Sequence, residues 1–521
     1  MYQKQYFKDV FKATLIIGLF LFACRFTMGG AAVLVALMGA VFAIQRKAGL
    51  LAACYAFFPT IIIFNRVVIG INAVTMMTAR MGNLFLIAVM ILTGASFHGR
   101  VRERLPIGMM FVYCLIAVIS SIDGWMPLIS YLKITQFVLF LIGLLFITRI
   151  LQQSDNGLYQ LRCVFMALAV IFILGSSVSR FIPSLGFSMQ IDKLAAWDIY
   201  VTGEELIKSE GLVLFNGMTN HSQALAPIVA MTTAWVLCDM LLVERRLTML
   251  HGMLIAMAPV LIYMSRSRGG FLELVTIMAV AMFVCVPRAR LAAVVKSKLT
   301  QTLIFAGLVL FCVAIIMQIK NQSMSKWLRK TDDVGGDRRS LSEAFTGSRQ
   351  GVIQISLNDF KLNPLFGKGF QVVRGMEQAY RANLITWYSA AVEKGVTPIV
   401  VLGETGLFGA AVFLIFLFVF YGTCLKRRYL STLTMFTCMF VANLADSSFF
   451  SPGGIGGFLW ISSCVGGFGI DIISIRQAHG LWRGPGDDRW GNHLPPPELL
   501  EDRPRPREKT LASGRKIFTI D

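Results

Sequence analysis

Two closely spaced arginines stand among small residues in the stretch Ser265-Arg266-Ser267-Arg268-Gly269-Gly270-Phe271. Arginine presents a planar fork of N–H donors that binds a phosphate oxyanion through two hydrogen bonds, and glycines let the backbone approach a ligand closely. If the stretch is helical, Arg266 and Glu273 share a face, because they are seven residues apart. The pattern predicts an anion site at Arg266 and Arg268. The structural alternative is that an arginine pairs with Glu273 or extends to the membrane surface.

A second polar stretch, residues 216–223, consists of small and hydrogen-bonding side chains. Such a run suits the hydroxyl groups of a sugar, and its candidate contacts are Asn220, His221 and Gln223. The structural alternative is a helix N-cap, in which Asn220 or Ser222 accepts hydrogen bonds from free backbone amides.

The longest polar stretch, residues 320–394, holds further groups that could do chemistry. Its candidate anion contacts are Arg349, Arg374 and Arg381. Glu393, and Glu404 just beyond the stretch, are candidate acids or bases, because an acceptor hydroxyl must lose its proton as it attacks. The structural alternatives are a surface ion pair between Glu393 and Lys394 and a helix-capping role for Glu404.

Two glycine-containing motifs lie in and after this polar stretch. The first, Asn363 to Phe370, contains Gly367 and Gly369 and is typical of a rigid turn. The second, Gly403 to Gly409, contains Glu404 and Gly406 at the start of an apolar segment. We predict that Gly367, Gly369, Glu404 and Gly406 have mainly structural roles.

The composition defines what kind of protein must position these residues. The chain has 521 residues, of which 56% are hydrophobic, and its mean hydropathy is +0.66. Runs of about 20 apolar residues recur, which is the length that crosses a bilayer as a helix. The runs are continuous, whereas the strands of a membrane barrel alternate apolar and polar residues. The sequence therefore predicts an all-α polytopic membrane protein.

We expect 12–14 membrane spans, and about fourteen segments qualify by run length and loop charge. They are residues 12–27, 29–45, 49–66, 80–97, 105–122, 129–149, 160–178, 221–243, 249–264, 269–287, 301–319, 398–422, 429–447 and 455–475. Lysines precede residue 12 and Arg46-Lys47 follows residue 45. Since basic flanks stay in the cytoplasm, two crossings fit residues 12–45 better than one.

The positive-inside rule then predicts the overall organisation. Both termini are cytoplasmic, and the two long polar loops lie outside. The expected regions are an N-terminal transmembrane bundle (1–319) with a short external loop (about 179–220), a large periplasmic loop that forms a folded cap (320–394), C-terminal transmembrane helices (395–475) and a disordered cytoplasmic tail (476–521).

Several protein classes are disfavoured. The net charge of +20 is explained mainly by short basic loops, so no nucleic-acid partner is predicted. The ten cysteines lie in or beside apolar segments, which argues against a disulfide framework and against a zinc site. The sequence contains no P-loop, Rossmann fingerprint or HExxH motif. Beyond Asp332-Asp333, which lie in a mixed-charge run, the external loops show no clear DxD-like acidic pair, so a metal-dependent sugar-nucleotide transferase is disfavoured.

Three of these motifs, in this order, resemble those of the O-antigen ligase and Wzy-type polymerase superfamily. They are Ser267 to Gly270, Pro364 to Gly369, and Glu404 to Gly409, and the resemblance covers about residues 200–410. It implies a GT-C-like fold and a metal-independent inverting glycosyltransferase that uses no cofactor. It also implies a glycan donor linked to undecaprenyl diphosphate, used at the periplasmic face of a bacterial inner membrane.

The resemblance further implies roles for individual residues. Arg268 matches the family motif and would hold the lipid diphosphate, with Arg266 beside it and with Arg349 and Arg374 as further candidates. Ligases of the family usually carry a histidine, often in a His-Asn pair, shortly before the Glu-Thr-Gly element. This chain has Glu393-Lys394-Gly395 there, which favours a polymerase for exopolysaccharide or capsule and makes Glu393 the expected catalytic base alongside Arg268.

Two other functions stay open at the level of the sequence. One is an O-antigen ligase that transfers the glycan to lipid A-core, and the other is a lipid-linked oligosaccharide transporter or flippase, for which fourteen spans are also common. The expected partners are undecaprenyl-diphosphate-linked oligosaccharide, the lipid bilayer and other polysaccharide assembly proteins.

Overall fold

The structure is a computed structural model that describes most of the chain. The described residues are 2–27, 29–64, 73–93, 105–152, 154–181, 188–190, 213–220, 222–265, 267–286, 341–374, 396–445, 448–479, 482, 507–510 and 516–519.

These residues are mainly helical. The helices are α1 (Tyr2–Thr27), α2 (Gly30–Ile44), α3 (Ala48–Ile63), α4 (Ala73–Leu92), α5 (Met109–Ile122), α6 (Pro127–Leu151), α7 (Asp155–Ala169), α8 (Ser176–Phe181), α9 (Ser222–Cys238), α10 (Met249–Met264), α11 (Arg268–Cys285), α12 (Leu341–Leu362), α13 (Thr397–Arg427), α14 (Leu430–Ala445), α15 (Ile455–Ile461) and α16 (Phe468–Ala478). A 3₁₀ turn, Pro106–Gly108, leads into α5.

The predicted spans coincide with helices wherever the structure describes them, and the span at 301–319 lies outside the described residues. Six helical segments in the described part of the chain are long and apolar enough to cross a membrane, and the other apolar helices have 10–17 residues. The number of crossings therefore stays a prediction. Residues 12–45 form two helices, separated at Gly29, where φ is +101° and a Cβ would overlap Thr78.

Short strands accompany the helices, which an all-α prediction did not include. Strands β1 (Ser188–Gln190) and β2 (Val213–Phe215) pair antiparallel within the predicted external loop 179–220. Strands β3 (Arg507–Thr510) and β4 (Lys516–Thr519) pair antiparallel within the tail that we expected to be disordered. Apart from these two short pairs, the regular structure of the described residues is helical, in agreement with the all-α prediction.

Three π-helical turns, in which the hydrogen bonds span one residue more than in an α-helix, occur in the part of the chain that the structure describes. These turns are Val170–Gly175 between α7 and α8, Asp239–Glu244 at the end of α9, and Ser462–Gly467 between α15 and α16. A wider turn brings residues five apart towards one face. The turn at the end of α9 thereby directs both Asp239 and Glu244 at the same partner.

That partner is Arg162, in a buried ionic cluster at the end of the bundle that we predicted to be cytoplasmic. Arg162 Nε lies 2.6 Å from Asp239 Oδ1, and Arg162 Nη2 lies 2.5 Å from Glu244 Oε1. His251 Nε2 lies 3.2 Å from Asp239 Oδ2, and the guanidinium carbon of Arg162 lies 4.2 Å from the centre of the Tyr6 ring. The sequence analysis counted Arg162 only as a topology signal, whereas the structure shows it as the centre of this cluster.

The opposite end of the bundle collects the motifs predicted to lie outside. The end of α3 pairs with the segment before α9 through Phe64 and Thr219. The start of α13 contacts the end of α14, where Thr397 Oγ1 lies 3.4 Å from Asn443 Oδ1. This end therefore positions the candidate site.

Candidate functional site

Residues 363–374, from the large predicted loop, insert between helices rather than only covering them. We call these residues the inserted segment. Helix α12 packs against α13, and the chain then runs along a break in α13. Four backbone hydrogen bonds join the two segments: Leu407 N to Pro364 O (2.8 Å), Phe408 N to Leu365 O (3.3 Å), Lys368 N to Gly403 O (3.0 Å) and Gly369 N to Glu404 O (3.2 Å). The described part of this loop is thus an integral part of the bundle.

The break in α13 lies at Gly406, where φ is +63° and ψ is −161°. Only glycine adopts this region readily. A Cβ on Gly406 would overlap the carbonyl group of Leu365, and a Cβ on Gly367 would overlap the backbone of Glu404. The predicted structural glycines therefore lie where the inserted segment and α13 approach most closely.

Glu404 lies at this break with 2% of its surface exposed. Its Oε1 accepts a hydrogen bond of 2.8 Å from the backbone N–H of Gln371, and its own carbonyl accepts from Ser120 on α5. Glu404 is the eighth residue of α13, which begins at Thr397, so it does not cap the helix as the structural alternative suggested. Its carboxylate instead fastens the inserted segment.

Lys133 on α6 is a residue that the sequence analysis missed. Its side chain is 2% exposed, and Nζ donates a hydrogen bond of 2.9 Å to the carbonyl of Gln371. One turn earlier, Ser130 Oγ donates to Phe370 O at 3.0 Å. An ionisable residue inside a predicted span, here 129–149, marks a functional position by default. That signal was available in the sequence and was not used.

Arg374 ends the inserted segment and is exposed. Its guanidinium carbon lies 5.0 Å from the centre of the Trp125 ring, a distance at which a cation is attracted to the ring face. Trp125 is itself fixed, because Nε1 donates to Asp359 Oδ1 at 3.0 Å and its backbone N–H donates to Lys368 O at 3.1 Å. The geometry leaves the edge of the Arg374 guanidinium accessible to an anion.

Arg268 is the first residue of α11. Ser267 caps that helix by accepting the N–H of Gly270 at 3.2 Å, and a Cβ on Gly270 would overlap Ala226 in the first turns of α9. The start of α11 is therefore pressed against the start of α9. The side chain of Arg268 and the whole of Arg266 lie outside the described residues, so their predicted diphosphate contacts stay predictions.

The predicted sugar contacts are described only in part. Asn220 Nδ2 donates to Ile62 O at 3.1 Å, and its backbone N–H donates to Ile63 O at 2.8 Å. Asn220 thus holds the end of α3, and its predicted sugar contact stays a prediction. His221 and the side chain of Gln223 lie outside the described residues.

For three further candidates the structure describes no side chain. Arg349 is on α12, but its side chain is outside the described residues, and so are Arg381 and Glu393. The structure therefore brings together Gly367, Glu404 and Lys133, and it places Arg374 three residues beyond Gln371 on the face of Trp125. It does not place the predicted base.

Residues 252–414 match the family model described as O-Antigen ligase. The match begins later than the predicted start at about residue 200. It includes the start of α11 and the two segments, 364–369 and 403–408, whose backbone hydrogen bonds form an interlock at Gly406. The match confirms the resemblance to the O-antigen ligase and Wzy-type superfamily. No curated protein and no solved structure matches the chain. The apolar helices and this match indicate a multi-pass membrane protein with a function of the O-antigen ligase or polymerase type.

Proposed function

We propose that the protein is a membrane glycosyltransferase that polymerises undecaprenyl-diphosphate-linked oligosaccharide units at the periplasmic face of the bacterial inner membrane. The observation that carries the proposal is the match of residues 252–414 to the O-antigen ligase family. That region contains the arginine at the start of α11 and the segment fastened by Glu404.

The proposed reaction needs two functions from the protein, a base for the acceptor proton and cations for the leaving diphosphate. The acceptor hydroxyl oxygen attacks the anomeric carbon of the donor sugar, and the bond between that carbon and the phosphate oxygen breaks. The hydroxyl proton passes to a base, for which Glu393 is the candidate, and undecaprenyl diphosphate leaves. Negative charge on the diphosphate grows as the bond breaks, so guanidinium groups fixed there lower the barrier. Arg268 is the proposed main contact, with Arg266, Arg349 and Arg374 as further contacts, and no metal or cofactor takes part.

The inserted segment supports this role because it is held in place before any substrate binds. Gln371 is held from both sides, by Glu404 through its N–H and by Lys133 through its carbonyl. Arg374 follows three residues later on the face of Trp125. A cation positioned by rigid neighbours stabilises a transition state without reorganising.

The same contacts favour an enzyme over a transporter. Residues 363–374 are bonded to α5, α6 and α13, through Ser120, Ser130 and Glu404. This joins three helices at the predicted outer end, whereas alternating access in a transporter requires parts of a bundle to rock against each other.

The second candidate within the superfamily is a ligase that transfers glycan to lipid A-core. Glu393-Lys394-Gly395, in place of the expected histidine, favours the polymerase.

Variants of the two proposed catalytic residues test the proposal. In cells that depend on this protein for polysaccharide, Glu393→Gln and Arg268→Gln are expected to abolish long glycan chains. A general base alone raises the reaction rate about 10²–10⁴-fold. Arg25→Gln is the matched control, since Arg25 is exposed in the last turn of α1. Wild-type glycan chain lengths in Glu393→Gln would show that Glu393 is not the base.

A topology reporter fused at Gln350 is expected to give a periplasmic signal, and a cytoplasmic signal would overturn the proposed orientation.

A further inference from the structure

Two cations of the inserted segment, Lys368 and Arg374, lie against the same aromatic ring. Lys368 Nζ is 5.8 Å from the centre of the Trp125 ring, and the guanidinium carbon of Arg374 is 5.0 Å from it. Both distances are within the range at which a cation is attracted to an aromatic face. Trp125 lies in the turn between α5 and α6. We call these three residues the cationic platform.

The positive charges of the cationic platform are not neutralised by the described part of the protein. Among the residues that the structure describes, neither Lys368 nor Arg374 forms an ion pair. The nearby carboxylate of Asp359 is 5% exposed and accepts the indole N–H of Trp125. An ion pair would cancel a charge, whereas contact with a ring face orients the cation and leaves its charge in place. Arg374 is exposed and Lys368 is half-buried, so both charges can act on a ligand.

The backbone of Lys368 is fixed on both sides. Its N–H donates to Gly403 O on α13 at 3.0 Å, and its carbonyl accepts the N–H of Trp125 at 3.1 Å. A Cβ on Gly124 would lie 3.0 Å from the same carbonyl, so the turn before α6 packs directly on the inserted segment. A cation whose backbone is held before the substrate arrives loses less freedom on binding, which favours affinity.

Lys368 has no part in the proposed contact with the lipid diphosphate, which is assigned to arginines. A fixed cation in a binding site is complementary to a negative charge on the ligand, so Lys368 indicates a further negative charge on the substrate. An acidic sugar supplies that charge as a carboxylate, which an ammonium group and a guanidinium group both bind. The several N–H donors of Arg374 suffice for a carboxylate and a phosphate oxygen together.

We propose that the cationic platform binds the carboxylate of an acidic sugar, and that the glycan used by this protein is anionic. Lys368 is the main contact, Arg374 lies beside it, and Trp125 orients both. The inference rests on the proposed function, because it names the class of glycan that is polymerised. The sequence analysis did not select Lys368, since it stands within the motif Asn363 to Phe370 that was interpreted as a rigid turn.

Binding of soluble oligosaccharides to the full-length protein in phosphatidylcholine nanodiscs tests this site without requiring catalysis. The probes are tetragalacturonate, which is acidic, maltotetraose, which is neutral, and farnesyl diphosphate, which carries no sugar. The wild type is expected to bind tetragalacturonate more tightly than maltotetraose. Lys368→Gln is expected to weaken tetragalacturonate binding about 10-fold and to change farnesyl diphosphate binding little. Lys368→Arg keeps the charge and is expected to keep tetragalacturonate binding.

Lys361→Gln is the matched control, because Lys361 is exposed in the last turn of α12 and its loss changes the net charge equally. It is expected to bind all three probes like the wild type. If Lys361→Gln and Lys368→Gln bind tetragalacturonate equally, only the overall charge matters and the proposal is wrong. If Lys368→Gln loses farnesyl diphosphate binding as strongly as tetragalacturonate binding, Lys368 belongs to the diphosphate contact instead. Lys368→Gln is expected to unfold at the wild-type temperature, and a lower midpoint would show a structural role.

Kinetics separate a failure of this inference from a failure of the proposed function. In the reconstituted reaction, Lys368→Gln is expected to raise KM for acidic lipid-linked units about 10-fold and to leave kcat unchanged, as for the loss of a uniform binding contact. If neutral units are polymerised as efficiently as acidic ones and Lys368→Gln has no effect, the proposed function stands and this inference is wrong. If tetragalacturonate binds through Lys368 and no unit is polymerised, the subsite stands and the proposed function is wrong.

Discussion

Replacing Gly406 by alanine tests the interlock at the centre of the candidate site. With φ +63° and ψ −161°, Gly406 has a backbone conformation that costs other residues about 1–3 kcal/mol. The new Cβ would also overlap the carbonyl of Leu365, which is backbone and cannot move aside alone. Gly406→Ala therefore strains the interlock or forces α13 to continue as a regular helix, which expels the inserted segment.

The structure gives a scale for this effect. Expulsion breaks the hydrogen bonds from Leu407 and Phe408 to the inserted segment, each with a net contribution of about 1 kcal/mol. Because the backbone cost and the loss of these bonds are alternatives, the change destabilises the native arrangement by about 2–3 kcal/mol. Gly422 is the matched control in the same helix, because a Cβ there meets nothing within 4 Å. Gly422→Ala is expected to stabilise α13 by up to about 1 kcal/mol.

Thermal unfolding and limited proteolysis of the purified variants measure the difference. Gly406→Ala is expected to unfold at a lower temperature than the wild type, to be cleaved faster within residues 363–374, and to lose activity. Gly422→Ala is expected to match or exceed the wild type in stability and to keep its activity. If the two variants behave alike, the interlock at Gly406 does not hold the site.

Three further substitutions separate the roles of individual charges. Glu404→Gln keeps an oxygen that accepts the Gln371 N–H, so product chain length should change little, whereas a catalytic carboxylate would cost about 10²–10⁴-fold in rate. Lys133→Met removes a charged hydrogen bond to the same residue and should lower the polymerisation rate about 10-fold or more. Wild-type rates in that variant would show that Lys133 does not position the segment. Asp239→Asn leaves the buried Arg162 with one fewer anion, so it should destabilise the protein by about 3–5 kcal/mol in unfolding assays. Its activity per folded molecule should stay unchanged, and selective loss of activity would contradict a purely structural cluster.

The helices could be predicted from the sequence because hydropathy reports directly on them. The separation of α1 and α2 at Gly29 followed from loop charge alone, by the positive-inside rule. The break at Gly406 could not be predicted in this way, because it lies within one continuous apolar segment, residues 398–422. Its cause is a partner segment about forty residues earlier, and a periodic pattern carries no information about that contact.

The candidate site was predictable only in its motifs. Gly367 and Gly406 were recognised as structural. The close approach of Gly367 to Glu404, and of Gly406 to Leu365, arises only in the folded protein. Lys133 lies within a predicted span. It was not selected as a candidate, because the selection favoured charged residues in loops. Trp125 and Asp359 are 234 residues apart, so their pairing is not visible in any local pattern.

Reconstitution of the reaction tests the central claim most directly. Purified full-length protein in nanodiscs receives an undecaprenyl-diphosphate-linked oligosaccharide, with and without lipid A-core as an alternative acceptor. The proposal predicts longer lipid-linked chains and release of one undecaprenyl diphosphate for each new linkage, without added metal. Transfer to lipid A-core alone would identify a ligase. Lipid-linked substrate that crosses the bilayer with no new glycosidic bond would contradict the account.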